Sequence, residues 1–173
     1  MTASQIENKT IAVAVVDDDA NVRDGLWWLL NNVIGLRCAG AYASCEEALA
    51  GMALQGADIL LLDVSLPRIS GLEAAPQLFA RFPSLKIIMH SNFDDEEKIT
   101  QAMRAGATGY LLKNASAPAL YEAIIKVHQG GTAWPPGFES AGEISHSNRF
   151  HFLAKIVGRL SSTLRALRKT FSS

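Results

Sequence analysis

Apolar positions along this chain follow two alternating periods. Continuous apolar, largely β-branched runs at 11–16 (IAVAVV), 58–62 (DILLL) and 85–89 (LKIIM) lack polar alternation, which is the pattern of short strands covered on both faces. A weaker run at 36–42 (LRCAGAY) and a short one at 108–112 (TGYLL) bring the predicted strands to five. Between the runs the spacing changes to three and four. Val22, Leu26, Leu29, Leu30 and Val33 mark a helix over 20–33, Ala48, Leu49 and Met52 one over 44–54, and Ile99, Ala102 and Met103 one over 95–104. A further helical stretch is 71–81, with Pro76 expected in or near its first turn, where proline is tolerated. Ser116 followed by Pro118 opens the last helix as an N-cap does, Leu120, Ile124, Ile125 and Val127 give it an apolar face, and Gly130-Gly131 closes it.

Strict alternation of strand and helix predicts an α/β fold, a doubly wound parallel sheet with helices on both faces and right-handed crossovers. That core is expected to end near residue 131. From Trp134 to Ser147 the text WPPGFESAGEISHS is rich in Pro, Gly and Ser, so 132–147 reads as a linker. Regularity returns in 148–173, where Phe150, Leu153, Val157, Leu160, Leu164, Leu167 and Phe171 alternate spacings of three and four. Such an a/d seam describes an amphipathic helix that needs a partner.

Composition narrows the class. With 49% hydrophobic and 19% charged residues in 173, the chain is an ordinary globular domain with an appendage. Cys38 and Cys45 form neither a disulfide framework nor a zinc-ligand spacing. The N-terminus MTASQIENKT has no signal pattern and no run approaches the roughly 18 apolar residues of a membrane span, so a cytoplasmic protein is expected and a membrane partner is not. The net charge of −1 divides into −7 over residues 1–143 and +6 over 144–173, which makes the tail a different chemical object from the body.

Ligands of an open parallel sheet gather at the carboxyl edge of its strands. There the first strand ends in Asp17 and Asp18, the third in Asp63, the fourth in Ser91 and the fifth in Lys113. If the first and third strands are neighbours, three carboxylates converge, and they repel one another unless a cation lies among them. Hard oxygen ligands with room for water suit Mg2+. Carboxylates, a hydroxyl and an ammonium at one edge are also what binding a phosphoryl group requires. Asp19, the third acid of the triplet, is expected only to cap the first helix.

Over about residues 9–131 the chain resembles the receiver domain of bacterial two-component response regulators, in its NarL-type branch. The resemblance is carried by "DDDANVRDGL", "LLLDVSLPRISGLE" and "AMRAGATGYLLK" together, and by the 22-residue spacing from Ser91 to Lys113. It implies a flavodoxin-like (βα)5 sheet in strand order 2-1-3-4-5. It further implies Asp63 as phosphoacceptor, and Asp17, Asp18 and the backbone carbonyl of Ser65 as Mg2+ ligands beside it. Ser91 and Lys113 would contact the phosphoryl group, and Tyr110 would be the aromatic switch residue. From the residues alone Tyr110 is equally a half-buried aromatic with its hydroxyl in water, and His90 is a satisfied strand-end histidine.

A sensor histidine kinase or phosphotransfer protein is the partner this resemblance implies. No helix-turn-helix pattern follows Gly131, so DNA contact through Arg149, Lys155, Arg159, Arg165, Arg168 and Lys169 is a weaker expectation than docking of 148–173 on a second copy, a downstream protein or the domain itself. A reading of another class is a phosphatase of the aspartyl-phosphate type, although such enzymes place a second Asp where this chain has Ser65.

Overall fold

Strands without a polar face must be covered on both sides, and the computed structural model, which describes residues 10–138 apart from the side chains of 52–55, covers them with helices. The order is β1 (Ile11–Val16), α1 (Ala20–Asn32), β2 (Leu36–Tyr42), α2 (Cys45–Gln55), β3 (Ile59–Asp63), α3 (Gly71–Arg81), β4 (Lys86–Ser91), α4 (Glu96–Arg104), β5 (Gly109–Leu112) and α5 (Ala117–His128). All five strands are parallel, in the order β2-β1-β3-β4-β5, so the strand order reverses beside β1. The expected helix at 148–173 and the linker residues 139–147 lie outside the described residues.

Period-two alternation divides the core into two layers. Val13, Val15, Ile59, Leu61 and Ile88 face one way and pack with Leu26 and Leu30 of α1 and Leu120, Ile124 and Val127 of α5. Their neighbours Ala14, Val16, Leu60, Leu62 and Met89 face the other way, against Ala48 of α2, Leu78 and Phe79 of α3 and Ile99 and Met103 of α4. Fully burying one such side chain contributes roughly 1.5–3 kcal/mol, so the two layers carry most of the fold's stability. The weak β2 has an irregular register: Cys38 pairs with Val13 and Gly40 with Ala14, leaving Ala39 as the extra residue of a bulge.

Helix starts are written by side chains. Asp19 caps α1 by accepting from Asn21 N at 2.8 Å, Asp95 caps α4 by accepting from Lys98 N at 2.9 Å, and Ser116 caps α5 with Pro118 just inside. In α3 the Ser70 and Glu73 pair forms a capping box, which fixes the start at Gly71. Pro76 therefore falls in the second turn and not in or near the first, where its missing N–H leaves the Leu72 carbonyl without its helical donor. A side chain at position 71 would overlap the Asp63 carbonyl, so Gly71 lets α3 begin directly against the end of β3. Past α5 the chain stays packed: Ala133 bridges to Gly109 and Trp134 is buried, so the expected linker begins as part of the fold. Among the described residues no helix is long and apolar enough to cross a membrane.

Candidate functional site

Backbone ladders deliver each strand-end residue to one edge. Asp17 N donates to Tyr42 O at the end of β1, and Lys113 N donates to Ser91 O at 2.7 Å, which carries the β4–β5 ladder one residue further. Asp63 and His90 are register partners across β3 and β4. Because β1 and β3 are neighbours, ligand oxygens of Asp17, Asp18 and Asp63 come within 4.8 Å of one another.

Lys113 reaches two of these acids. Its Nζ donates to Asp63 Oδ2 at 3.0 Å and lies 2.7 Å from Asp17 Oδ2. The Asp17 contact is an ion pair, and Lys113 is the one partner of the buried Asp17 Oδ2 among the described residues. Asp17 Oδ1 accepts from Asp19 N and Asp63 Oδ1 from Ser65 N, both at 3.0 Å, which aims the second oxygens inward. Burial and the neighbouring Asp63 charge push the Asp17 carboxyl above the usual range, against the pull of Lys113 and the Asp19 N–H. Burial disfavours the Lys113 charge, but its bonds to Asp17 and Asp63 outweigh that and hold the ammonium above its ordinary pKa.

Three carboxylates share one ammonium at the edge, so the acids outnumber the cation that touches them. At an effective dielectric of about 20, each carboxylate pair at this separation repels by roughly 3 kcal/mol. Among the described residues no ammonium pairs with exposed Asp18, so the repulsion is only partly offset. A buried carboxylate oxygen held only by the Lys113 ammonium among the described residues, next to two further acids, one open to solvent, is the donor set that suits a hard divalent cation keeping part of its water.

Ser91 and Tyr110 lie behind the acids. Ser91 is fully buried, and its Oγ accepts from Phe93 N at 3.1 Å. Tyr110 is 2% exposed and its hydroxyl donates to Phe93 O at 2.7 Å, so it is an inward, bonded side chain and not a half-buried one with its hydroxyl in water. Burial raises the Tyr110 phenol, and the Ser91 hydroxyl beside it draws it partly back.

A family model described as the response regulator receiver domain matches residues 13–125. The chain belongs to this receiver family. It is 32% identical over 127 residues to the transcriptional regulatory protein DegU of Brevibacillus brevis, covering 73% of this chain and 54% of that protein. With the transcriptional regulatory protein UhpA of Escherichia coli K12 the identity is 36% over 126 residues, 73% of this chain and 63% of that one. The crystal structure of a two-component response regulator of the LuxR family from Aurantimonas sp. SI85-9A1 superposes with a TM-score of 0.70 at 27% identity, covering 78% of this chain and 97% of that chain. The chain thus spans little more than half the length of the curated relatives it matches.

In this receiver every acid, hydroxyl and ammonium expected at the carboxyl edge is there, and Asp19 is turned aside as a cap. Three participants carried no sequence signal of their role. Arg23 Nη1 donates to the carbonyls of Asp17 and Asp18 at 2.7 and 2.9 Å and so fixes the acidic loop. Phe93 joins Ser91 to Tyr110 through its backbone, with Lys98 Nζ 3.3 Å from its ring centroid. His90 is buried, and burial with the Lys113 charge lowers its imidazole to about 4. The signal is absent in principle, since Arg23 is read only by main-chain carbonyls and Phe93 acts through its own main-chain atoms.

Removing one acid at a time separates the roles. Asp18→Ala is expected to weaken Mg2+ binding by about tenfold or more in a calorimetric titration, as loss of a charged oxygen ligand should. Asp19→Ala should leave that affinity unchanged and cost about 1 kcal/mol of stability through the lost cap. His90 predicts an acid-sensitive fold. The unfolded imidazole takes up a proton near pH 6.5 but the folded one only near 4, so stability is present above 6.5 and is lost as pH falls through that window. Between pH 7 and 5 the loss is about 2 kcal/mol. Urea midpoints measured without Mg2+ should fall less over that interval in His90→Gln, and an identical fall would show that His90 does not titrate this way.

Proposed function

We propose that the protein is the phosphoacceptor of a two-component phosphorelay, taking a phosphoryl group from a histidine of a sensor kinase or phosphotransfer protein onto Asp63. The observation that carries this reading is the single ammonium of Lys113 between Asp17 and Asp63, inside a cluster of three carboxylates. One Asp63 oxygen would form the new P–O bond as the P–N bond to the donor imidazole breaks and the imidazole leaves with the electron pair. Lys113 would move from the carboxylate to the equatorial oxygens, where charge accumulates in a loose phosphoryl-transfer transition state. The Ser65 N–H bond to Asp63 Oδ1 holds the nucleophile in place, and the other oxygen, Oδ2, would attack as Lys113 leaves it. Asp17, Asp18, Asp63 and the Ser65 carbonyl are the groups that would hold Mg2+, which when bound supplies positive charge beside the transferring group.

Once phosphorylated, Asp63 would draw the Ser91 hydroxyl as a donor, and Tyr110 would carry the change to the face made by α4, β5 and α5. The basic segment 148–173 is proposed as the part that then docks, on a second copy or on a downstream protein. A DNA output is the second reading, supported by the relatives' description as transcriptional regulatory proteins.

Incubation with Mg2+ and acetyl phosphate should add one phosphoryl mass per chain, and Asp63→Asn should abolish the addition. Sustained turnover of phosphomonoesters, in place of stoichiometric labelling, would instead identify a phosphatase. Deleting 148–173 should lower the mass measured by light scattering for the phosphorylated protein; an unchanged mass would remove self-association as the output.

A further inference from the structure

The outer edge of the sheet, at β5, is covered by the chain that leaves α5. Gly131 N donates to Lys126 O at 2.9 Å and turns the chain back, and Ala133 then lies parallel to β5. Ala133 N donates to Thr108 O at 3.0 Å, and Tyr110 N donates to Ala133 O at 2.8 Å. Side chains alternate as on a strand: Ala133 packs with the α1 and α5 layer, while Trp134 is buried in the opposite layer, which also contains Tyr110 and supports Phe138. The edge is shaped for this pairing, because a Cβ on Gly109 would stand 2.8 Å from Ala133 O. Trp134 Nε1 is buried without a hydrogen-bond partner among the described residues. That unpaired donor offsets part of what burying the ring contributes, which lowers the cost of opening this stretch.

Tyr110 joins the stretch to the acidic edge. Its main-chain N–H holds Ala133, its hydroxyl holds Phe93 O, and Phe93 N holds Ser91 Oγ. A serine hydroxyl that accepts one bond still has its proton to donate. A phosphoryl oxygen on Asp63 can therefore take the Ser91 proton as a hydrogen bond without releasing Phe93. The extra bond stiffens the whole series.

We infer that residues 131–138 are a strap that reports the state of Asp63 to the chain beyond Phe138. A phosphoryl group on Asp63 fixes Ser91 and the turn at 92–95, that turn holds Tyr110 inward, and an inward Tyr110 keeps Ala133 and Trp134 closed on β5. Whatever follows Phe138 is thereby anchored more firmly in the phosphorylated protein. The inference rests on Asp63 being the phosphoacceptor, but the grip of Tyr110 on the strap does not.

The full chain has three tryptophans, and two of them, Trp27 and Trp28, are 53% and 63% exposed on α1. Replacing both by Phe leaves Trp134 as the single reporter. Acrylamide quenching of its fluorescence should fall by about twofold or more when acetyl phosphate and Mg2+ convert Asp63, with conversion confirmed by mass. Unchanged quenching in fully phosphorylated protein overturns the strap. If no phosphoryl mass is gained, the reading of Asp63 fails instead, and the strap is judged in unphosphorylated protein. There Tyr110→Ala should raise Trp134 quenching by about twofold. Gly109→Val should do the same from the opposite side while the far-ultraviolet spectrum stays native. A Trp134 that remains shielded in a folded Gly109→Val protein also overturns the proposal.

Discussion

The ammonium of Lys113, 2.7 Å from Asp17 and 3.0 Å from Asp63, is the contact around which the carboxyl edge of this sheet is organised. Two buried carboxylates on adjacent strands are unfavourable by both desolvation and mutual repulsion, and one cation supplied by β5 offsets part of each. The compensation is incomplete, since Asp18 adds a third carboxylate. A fully neutralised cluster would be an inert structural ion pair. The excess of carboxylates over ammonium is what suits the edge to a divalent cation.

That contact depends on features far from it in sequence. Asp17 and Lys113 meet only because β1 and β3 are neighbours, β4 follows β3 and the β4–β5 ladder extends to Lys113 N. Two apolar layers hold that order, one through α1 and α5 and the other through α2, α3 and α4. The site is thus rigid where charge must be positioned. Beyond the acids, main-chain bonds of Phe93 to Ser91 and Tyr110 run on to the outer strand.

Much of this was readable from local pattern. All ten elements were predicted within two residues, because strands buried on both faces and helices with one apolar face impose different periods over short windows. The position of Pro76 was misjudged, since the Ser70 and Glu73 capping box fixes the helix start more strongly than one missing hydrogen bond opposes it. Trp134 was hidden by its company: Pro, Gly and Ser dominate its neighbourhood, yet an edge left open at β5 recruits a single aromatic and a single alanine. Tyr110 could be read either way because the acceptor of its hydroxyl, Phe93 O, is a carbonyl 17 residues earlier in the chain.

By itself the sequence determined which residues are acids, hydroxyl and ammonium, that each closes a strand, and that Asp19 begins a helix. Those are local matters, decided by hydrophobic period and capping. Only the tertiary structure decided that Lys113 bridges Asp17 and Asp63 while Asp18 stays open, that His90 is buried and neutral, and that Tyr110 is turned inward with Ala133 on its amide. Each of these depends on which strands are neighbours and on how much water remains beside a charge, quantities that exist only once distant segments have packed.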